Sequence, residues 1–269
     1  MTVKLVAIDI DGTLLDSNRK ISPKVKETLQ KANENGMYIV LCTGRPLPGV
    51  KEQLAELDLY GDNDYVITYN GSLVQATKSN EIISQYGLSH DDFLEIEAMS
   101  RKVGVHLHTI DDQAIYTANR DIGKYTVHEA YLVDMPLKYR TVEEMTPDMS
   151  IIKMMMIDEP AILDNAINQL PEAFVDKYTT VKSTEFYYEI LNKEASKGNA
   201  LAKLAEHLGI TQAETMAIGD NENDLSMIEY AGIGVAMGNA TESVKQAADI
   251  QTTSNDEDGV AEILLKYMQ

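Results

Sequence analysis

Two carboxylates stand close together near the start of the chain. Asp9 directly follows the apolar run VKLVAI at residues 3–8, and Asp11 comes two residues later. A carboxylate can attack phosphorus and form an aspartyl-phosphate. Because a phosphate dianion repels such a nucleophile, a cation has to lie between the two. The acidic stretch GDNEND at residues 219–224 offers further oxygen ligands of the type that Mg²⁺ prefers. These residue types indicate phosphoryl-transfer chemistry with Mg²⁺ as the cofactor.

Such chemistry needs strong charge stabilisation. Hydrolysis of phosphate monoesters can require accelerations of up to ~10²¹-fold, which corresponds to roughly 29 kcal/mol. Positioning of the reactants supplies about 7–11 kcal/mol of this. Preorganised charge has to supply much of the remainder, from the metal ion, lysine side chains and backbone amides.

Alternating strand and helix patterns have to position these groups. The apolar runs at residues 3–10, 37–42 and 65–70 are rich in Val and Ile, which is typical of buried parallel strands. Helical patterns separate the runs, and the same alternation returns from residue 197 to the C-terminus. The pattern predicts an α/β fold class: a doubly wound, Rossmann-like core with a mainly parallel sheet and helices on both faces.

Polar and glycine residues stand at the carboxyl ends of the predicted strands. In an open α/β sheet, ligands bind beyond those ends. Any one of these aspartates could instead form a turn or cap a helix, but their convergence favours a single site. The residues expected to contribute to it are Asp9, Asp11, Thr43, Gly44, Arg45, Asn70, Asp220, Asn223 and Asp224.

The middle of the chain, residues 83–188, departs from this alternation. Predicted antiparallel strands, such as VHLHTI and AIYTAN joined by DDQ, are mixed with amphipathic helices. This pattern predicts an α+β domain inserted into a discontinuous core of residues 1–82 and 189–269.

Four short motifs resemble, in order, those of the haloacid dehalogenase (HAD) superfamily of phosphatases: DIDGT (9–13), TGR (43–45), Lys197 before Gly198, and GDNEND (219–224). Together, at successive strand ends, they make the resemblance specific, and it extends over the whole chain. It is strongest to the Cof-type group, which includes sugar phosphatases. The resemblance implies a HAD-like core and, because the insert follows the third strand, a cap of the second type (C2) that selects substrates.

The resemblance also implies a role for each motif residue. Asp9 would be the nucleophile, and Asp11 would protonate the leaving oxygen and then activate water. The ligands of Mg²⁺ would be Asp9, the backbone carbonyl of Asp11, and Asp220. The phosphoryl oxygens would be bound by Thr43, the amide of Gly44, Lys197 and Asn223. Asp224 would not touch the metal or the phosphate itself, but would orient Lys197 or a metal-bound water that does.

Candidate substrate contacts are less sharply defined. Arg45 and Asn70 would face the same cleft as the motif residues. The candidates at the insert are Tyr116, Asn119, Arg120, Tyr187 and Glu189. A cap that closes over the site would exclude bulky substrates, which favours a small phosphorylated metabolite.

Composition limits the partners and the compartment. The chain has 43 acidic and 23 basic side chains and a formal net charge of −20, which argues against a nucleic-acid partner. No apolar run approaches the ~20 residues that a membrane span needs, and the single Cys42 excludes an internal disulfide. We therefore expect a cytoplasmic protein that binds neither nucleic acid nor membrane. The oligomeric state stays open, a homodimer included.

These observations favour a phosphoric monoester hydrolase that acts on small phosphomonoesters, sugar phosphates above all, through an aspartyl-phosphate. A sugar phosphomutase would use the same intermediate, but the mutases of this superfamily carry their cap between the first two motifs. A phosphate-accepting receiver domain would be much shorter and would lack a proton-transfer acid two residues after the acceptor. A non-catalytic sugar-phosphate sensor also stays open, although every catalytic position is filled.

Overall fold

The computed structural model describes residues 2–268 and divides the chain into two compact units. The core unit comprises the residues up to Gln85 and from Ser196 onward, and the insert unit is Tyr86–Ala195. The boundaries predicted from the sequence, after residues 82 and 188, differ from these because they cut through the strands Ile82–Gln85 and Tyr187–Leu191. Each of these strands pairs with a neighbour in its own unit, so a whole strand belongs to one unit.

The first part of the core unit contains five strands and two helices. Its first helix begins as the sequence predicts: Ser22 accepts a hydrogen bond from the backbone N–H of Val25, and Pro23 occupies the first turn. The third strand is shorter than predicted, because it ends at Thr68 and a tight turn follows with Asn70 at φ 54°. The elements are β1 (Leu5–Ile8), α1 (Pro23–Glu34), β2 (Tyr38–Cys42), α2 (Lys51–Glu56), β3 (Tyr65–Thr68), β4 (Leu73–Ala76) and β5 (Ile82–Gln85).

The insert unit mixes strands and helices, as predicted. Its first helix has a capping box, in which Ser89 and Asp92 exchange hydrogen bonds, and it ends at Gly104 in the left-handed conformation. The elements are α3 (His90–Val103), β6 (His106–Ile110), β7 (Ile115–Thr117), α4 (Lys124–Leu132), β8 (Leu137–Tyr139), β9 (Lys153–Ile157), α5 (Pro160–Ile167), α6 (Glu172–Val175), β10 (Thr179–Thr184) and β11 (Tyr187–Leu191).

The chain then returns to the core unit with alternating helices and strands. The first two of these strands are short and fully buried, which suits the interior of a parallel sheet. The elements are α7 (Lys197–Leu208), β12 (Thr215–Gly219), α8 (Leu225–Tyr230), β13 (Ile233–Ala236), α9 (Glu242–Ala247), β14 (Ile250–Gln251) and α10 (Gly259–Leu264).

One sheet runs through the core unit in the order β14-β13-β12-β1-β2-β3-β4-β5. The strands from β14 to β3 are parallel, whereas β4 and β5 extend the edge in antiparallel fashion. The sequence patterns do not predict this antiparallel extension. In the centre, β1 pairs with β12 on one side and β2 on the other, with Ile8 opposite both Ile218 and Leu41. The carboxyl ends of three parallel strands therefore lie side by side, and the predicted α/β fold class is confirmed.

The insert unit has its own sheet, in the order β10-β11-β9-β6-β7-β8, with every neighbouring pair antiparallel except β7 and β8. It also has its own hydrophobic cluster, in which Met154 and Met156 of β9 pack with Phe93 and Ile96 of α3. Within residues 2–268, no helix combines the length and the apolar character that crossing a membrane would require.

Candidate active site

Asp9 lies at the carboxyl end of β1, where the chain leaves the sheet. Its backbone N–H still donates to Ile218 O (3.0 Å), and its carbonyl accepts from Leu14 N–H (3.1 Å). The side chain is 6% exposed, and Asp9 Oδ1 accepts a hydrogen bond from Lys197 Nζ at 2.6 Å. The strand end thus presents a rigidly held, buried carboxylate.

Lys197 is fully buried at the first position of α7. Besides Asp9, its Nζ contacts Asp224 Oδ1 at 2.6 Å. The helix end is placed by its neighbours: Ser196 caps α7 by accepting from Asn199 N–H, and Gly198 lies against α8. A Cβ atom at Gly198 would come within 2.2 Å of Ser226 O, so glycine is required for this approach.

Asp224 holds the GDNEND loop together. While its Oδ1 accepts from Lys197, its Oδ2 accepts from the backbone N–H groups of Asp220 (2.9 Å) and Asn221 (3.0 Å). The side chain is fully buried. Both carboxylate oxygens are therefore engaged, and Asp224 orients both Lys197 and the loop that carries Asp220.

Asp220 faces the turn that follows β1. Its Oδ1 accepts a hydrogen bond from Thr13 Oγ1 at 2.9 Å. Gly12 has a φ of 86° and allows the backbone to pass close to the Asp220 side chain. A Cβ atom at this position would lie 2.5 Å from Asp220 Oδ2. Burial raises the pKa of Asp220 to about 6.

Asp9, Asp220 and Asp224 together form a group that could hold a metal ion. One ligand atom from each lies within 4.8 Å of the others. Burial, with the neighbouring Asp224 carboxylate, raises the pKa of Asp9 to about 8. Burial acts to lower the pKa of Lys197, but the Asp224 and Asp9 carboxylates outweigh it and raise that pKa. When all three carboxyl groups are ionised, one ammonium group leaves the cluster with a net charge of −2, which a divalent cation would balance.

The donors available for such an ion are the second carboxylate oxygens of Asp9 and Asp220. Lys197 and Thr13 engage one oxygen of each. Among residues 2–268, no donor hydrogen-bonds to the other oxygen of either side chain. Hard carboxylate oxygens of this kind suit Mg²⁺, which takes few protein ligands and keeps several waters.

Asp11 lies beside this cluster but has a different environment. Its side chain is 55% exposed, and Arg19 Nη2 lies 3.8 Å from its Oδ1. The Arg45 guanidinium binds it through two nitrogens, with Arg45 Nε donating to Asp11 Oδ2 at 2.9 Å and Nη2 donating to Oδ1. Two arginines therefore lie beside the carboxylate for which the family resemblance implies a part in proton transfer.

Thr43, Asn70 and Asn223 form a second group of polar residues. Thr43 is buried, its hydroxyl accepts from the backbone N–H of Arg45 (3.1 Å), and its carbonyl accepts from Asn70 N–H (2.9 Å). Asn223 Nδ2 donates to Asn70 Oδ1 at 3.0 Å. A Cβ atom at Gly44 would lie 3.1 Å from Asn70 Nδ2, so the TGR motif, the turn after β3 and the GDNEND loop meet here.

The structure thus brings together the predicted residues of all four motifs in the core unit. Glu189, one of the five candidate contacts at the insert, lies on β11 of the insert unit and forms a buried ion pair with Lys153 at 3.0 Å. The hydrogen bond from Thr13 to Asp220 was not predicted, although Thr13 belongs to the DIDGT motif. The contact of Arg19 with Asp11 was not predicted either, and the sequence carries no signal for it.

Comparison with known proteins agrees with this arrangement. A family model described as haloacid dehalogenase-like hydrolase matches residues 6–264. A protein of Streptococcus pyogenes serotype M6, provisionally named a phosphatase, is 51% identical over 268 residues, covering 100% of this chain and 99% of that protein. The 5-amino-6-(5-phospho-D-ribitylamino)uracil phosphatase YcsE of Bacillus subtilis is 32% identical over 266 residues, covering 99% of this chain and 96% of that protein.

A solved structure of a sugar phosphatase of HAD subclass IIB is similar over 99% of both chains, with a TM-score of 0.78 and 26% identity. The fold, the four motifs at adjoining strand ends and a family match over nearly the whole length therefore agree. This chain belongs to the haloacid dehalogenase-like hydrolases, in the Cof-type group.

Proposed function

We propose that this protein is a Mg²⁺-dependent phosphatase that hydrolyses small phosphomonoesters, sugar phosphates above all, through an aspartyl-phosphate on Asp9. The observation that carries the proposal is the buried Asp9 carboxylate at the end of β1, held by Lys197 within a cluster of three carboxylates and one ammonium group. A buried anion at a strand end is suited to act as a nucleophile when positive charge is supplied around it.

Asp9, Asp220 and the backbone carbonyl of Asp11 would hold Mg²⁺. When bound, the ion would screen the Asp9 carboxylate from the phosphate and stabilise the charge that develops on the phosphoryl oxygens. Thr13 keeps the Asp220 carboxylate oriented through its hydroxyl group. Lys197 and Asp224 hold Asp9 and the loop in place before substrate arrives.

Asp9 attacks phosphorus while the bond from phosphorus to the leaving oxygen breaks. Asp11, in its acid form, gives that oxygen its proton. The Asp11 carboxylate then takes a proton from the water that attacks the aspartyl-phosphate, so that inorganic phosphate leaves and Asp9 is restored. In this structure Arg45 donates hydrogen bonds to both carboxylate oxygens of Asp11, so we propose that Asp11 leaves Arg45 to reach the leaving oxygen.

The phosphoryl oxygens would be bound by the Thr43 hydroxyl, the Gly44 amide, Lys197 and Asn223. The hydrogen bond from Asn223 to Asn70 supports this assignment, since it holds the Asn223 amide beside the TGR loop. Arg45 and Asn70 are the proposed substrate contacts in the core unit. For the insert unit we propose a part in substrate selection, and Glu189 is the residue to test first.

Two named relatives support the substrate class. One is a sugar phosphatase of HAD subclass IIB, and the other acts on 5-amino-6-(5-phospho-D-ribitylamino)uracil. Both names describe phosphorylated small molecules with a sugar or a sugar-derived chain. We therefore place sugar phosphates first and the phosphorylated ribitylamino compound second.

The test is phosphate release from a panel of sugar phosphates, nucleotides and the phosphorylated ribitylamino compound, with and without Mg²⁺. We expect release that requires Mg²⁺, is highest for sugar phosphates, and disappears in both Asp9→Asn and Asp9→Ala. The second variant is needed because an asparagine can deamidate to aspartate. The matched control is Asp62→Asn, which removes an exposed carboxylate that pairs with Lys78 and should leave release unchanged.

Other outcomes would point elsewhere. An isomerised phosphosugar without free phosphate would indicate a phosphomutase. Binding of sugar phosphates without any turnover would indicate a sensor. Release that persists in Asp9→Ala would overturn Asp9 as the nucleophile.

A further inference from the structure

Arginines are few in this chain, and most of them lie in one place. The sequence contains five arginines, and its formal net charge is −20. Arg19 and Arg45 contact Asp11 in the candidate active site. The other three, Arg101, Arg120 and Arg140, belong to the insert unit.

These three arginines lie at or beside a cavity of about 400 Å³ in the insert unit. Arg101 comes from the last turn of α3, Arg120 follows β7, and Arg140 lies between two lining residues at the end of β8. Residues with polar side chains supply much of the lining: Arg101, Asn119, Arg120, Tyr139, Thr141 and Glu143. The volume lies in the lower part of the range that small-molecule sites occupy, roughly 300–1,000 Å³.

The walls of the cavity are held by hydrogen bonds within the insert unit. Asn119 Oδ1 accepts from the backbone N–H of Leu107 at 2.8 Å, which ties the segment after β7 to β6. Thr141 N–H donates to Glu144 Oε2 at 2.8 Å as part of a capping box. The cavity is therefore formed by the fold itself and does not need a ligand to shape it.

The cations at this cavity retain free donors. Arg120 has no hydrogen-bond or ion-pair partner anywhere in the described part of the chain, residues 2–268. Arg101 uses Nε for Glu97 Oε1, at 2.5 Å, and its two terminal nitrogens are free of hydrogen bonds to residues 2–268. A guanidinium fork with free nitrogens matches the geometry of a carboxylate or a phosphate.

Glu143 narrows the class of ligand. Its carboxylate lines the same cavity, and the pKa of Glu143 is lowered mainly by hydrogen bonds from its own backbone and from Thr141, with a contribution from Arg101. An ionised Glu143 would repel a second anionic group but would accept hydrogen bonds from hydroxyl groups. We propose that this cavity is a second binding site that takes a small polyhydroxylated monoanion, such as a sugar acid, with the anionic group on Arg101 and Arg120 and hydroxyl groups on Glu143.

The test uses the arginines as reporters. In full-length protein labelled with ¹⁵N-arginine, the five Nε–Hε groups give separate NMR signals, which the individual arginine variants assign. Titration with gluconate, glucuronate or glycerate is expected to shift the Arg101 and Arg120 signals in a saturable way. The Arg19 and Arg45 signals, which report on the candidate active site, should stay in place, so this test is independent of the proposed phosphatase function.

Variants show whether the contact is specific. Arg120→Gln should raise the dissociation constant, read at Arg101, by about tenfold or more, because it removes a charge-assisted hydrogen bond. The matched control is Lys102→Gln, which removes an equal charge from the same end of α3 but does not line the cavity. It should change the dissociation constant by less than about twofold, since exposed charges interact weakly through water.

Three results would overturn the proposal. The first is a shift that grows linearly with each of the three acids and equals that from sodium chloride at matched ionic strength. The second is a shift of the Arg45 and Arg120 NMR signals with the same titration midpoint, since that would indicate that one ligand site affects both arginines. The third is an equal increase of the dissociation constant in Arg120→Gln and Lys102→Gln, since that would indicate general electrostatic attraction and no specific site.

Discussion

Lys197 supplies the positive charge at the candidate active site, where its Nζ lies 2.6 Å from both Asp9 and Asp224. All three side chains are buried. A buried charge that loses its partner keeps its desolvation cost without compensation, and this typically destabilises a protein by about 3–5 kcal/mol. The lysine therefore affects both stability and the state of the nucleophile.

We predict that Lys197→Met lowers the free energy of unfolding by about 3–5 kcal/mol and lowers kcat by about 10²-fold or more. Urea denaturation and steady-state kinetics measure the two effects. The control is Lys203→Met, which removes a lysine with a half-exposed side chain from the same helix and should change stability by less than about 0.5 kcal/mol. Unchanged urea resistance in Lys197→Met would contradict the role assigned to this residue.

His108 is another buried ionisable residue, and it lies in the insert unit. It is fully buried on β6, and neither of its ring nitrogens has a hydrogen-bond partner within residues 2–268. Burial, together with the nearby Lys153, lowers the pKa of His108 to about 3. In the unfolded chain the imidazole returns to its ordinary pKa of about 6.5. Between these two values the unfolded state binds more protons, so stability falls as the pH falls.

We predict that acidification from pH 7 to pH 4.5 lowers the melting temperature less in His108→Leu than in the unsubstituted protein. Below pH 6.5 the contribution of His108 to stability decreases by about 1.4 kcal/mol per pH unit. Scanning calorimetry at the two pH values measures the difference. The exposed His128 offers the control, and His128→Gln should show the same acid sensitivity as the unsubstituted protein. Equal acid sensitivity in all three proteins would show that His108 does not titrate as described.

At the scale of elements, the position of α7 determines where Lys197 lies. The N-terminal end of α7 lies against α8 at Gly198 and against the turn after β3 at Gly71. A Cβ atom would lie 2.2 Å from Ser226 O at Gly198 and 2.1 Å from Ser196 O at Gly71. Backbone atoms cannot move aside as a flexible side chain can, so an added methyl group has to displace the helix.

We predict that Gly198→Ala shifts the N-terminal end of α7 and lowers kcat by about 10²-fold, because a misplacement of about 1 Å is enough for such a loss. The control is Gly209→Ala at the opposite end of α7, where nothing lies within 4 Å and φ is 66°. There the left-handed backbone should cost about 1–2 kcal/mol of stability with kcat retained. Kinetics and calorimetry on both variants separate the two effects, and equal losses of kcat would contradict the importance of this helix end.

In the insert sheet, a buried ion pair joins two neighbouring strands. Lys153 on β9 and Glu189 on β11 form an ion pair with both side chains almost fully buried. Each residue lies within an otherwise apolar strand, so the pattern of either strand alone gives no sign of the partner. Their pairing follows from the antiparallel register of β9 and β11, in which Lys153 lies opposite Leu191 and Glu189 opposite Met155.

Across the whole molecule, the net charge of −20 means that a non-denaturing salt such as NaCl stabilises the fold to some extent, because it screens the mutual repulsion of like charges. An ion that binds only the folded protein adds a separate stabilisation. This amounts to about 2.7 kcal/mol at one hundred times the dissociation constant. Comparison at matched ionic strength separates the two contributions.

We predict that MgCl₂ raises the melting temperature of the chelator-treated protein more than NaCl of equal ionic strength does. Asp220→Asn should abolish the difference between the two salts, because it removes one carboxylate from the cluster of Asp9, Asp220 and Asp224. Asp62→Asn, the surface control, should preserve the difference between the two salts. Equal effects of both salts on the unsubstituted protein would count against a divalent-cation site.

The alternation of elements, the fold class and the residues at the strand ends could all be predicted from the amino-acid sequence. Burial periodicity is local, so runs such as VKLVAI predict strands without knowledge of their neighbours. Once parallel strands are assigned, Asp9, Thr43 and Asp220 must converge, because the carboxyl ends of neighbouring parallel strands lie at one edge. The DIDGT, TGR and GDNEND motifs could therefore be placed in one site before the structure was known.

Which charged side chains contact one another becomes evident only in the folded chain. The sequence carries no signal that Arg45 binds Asp11, that Thr13 orients Asp220, or that both oxygens of Asp224 are engaged. The cavity beside Arg120 likewise depends on segments that are separated in the chain, since its lining residues run from Arg101 to Glu143. Such contacts follow from packing and strand register, which short-range patterns do not encode.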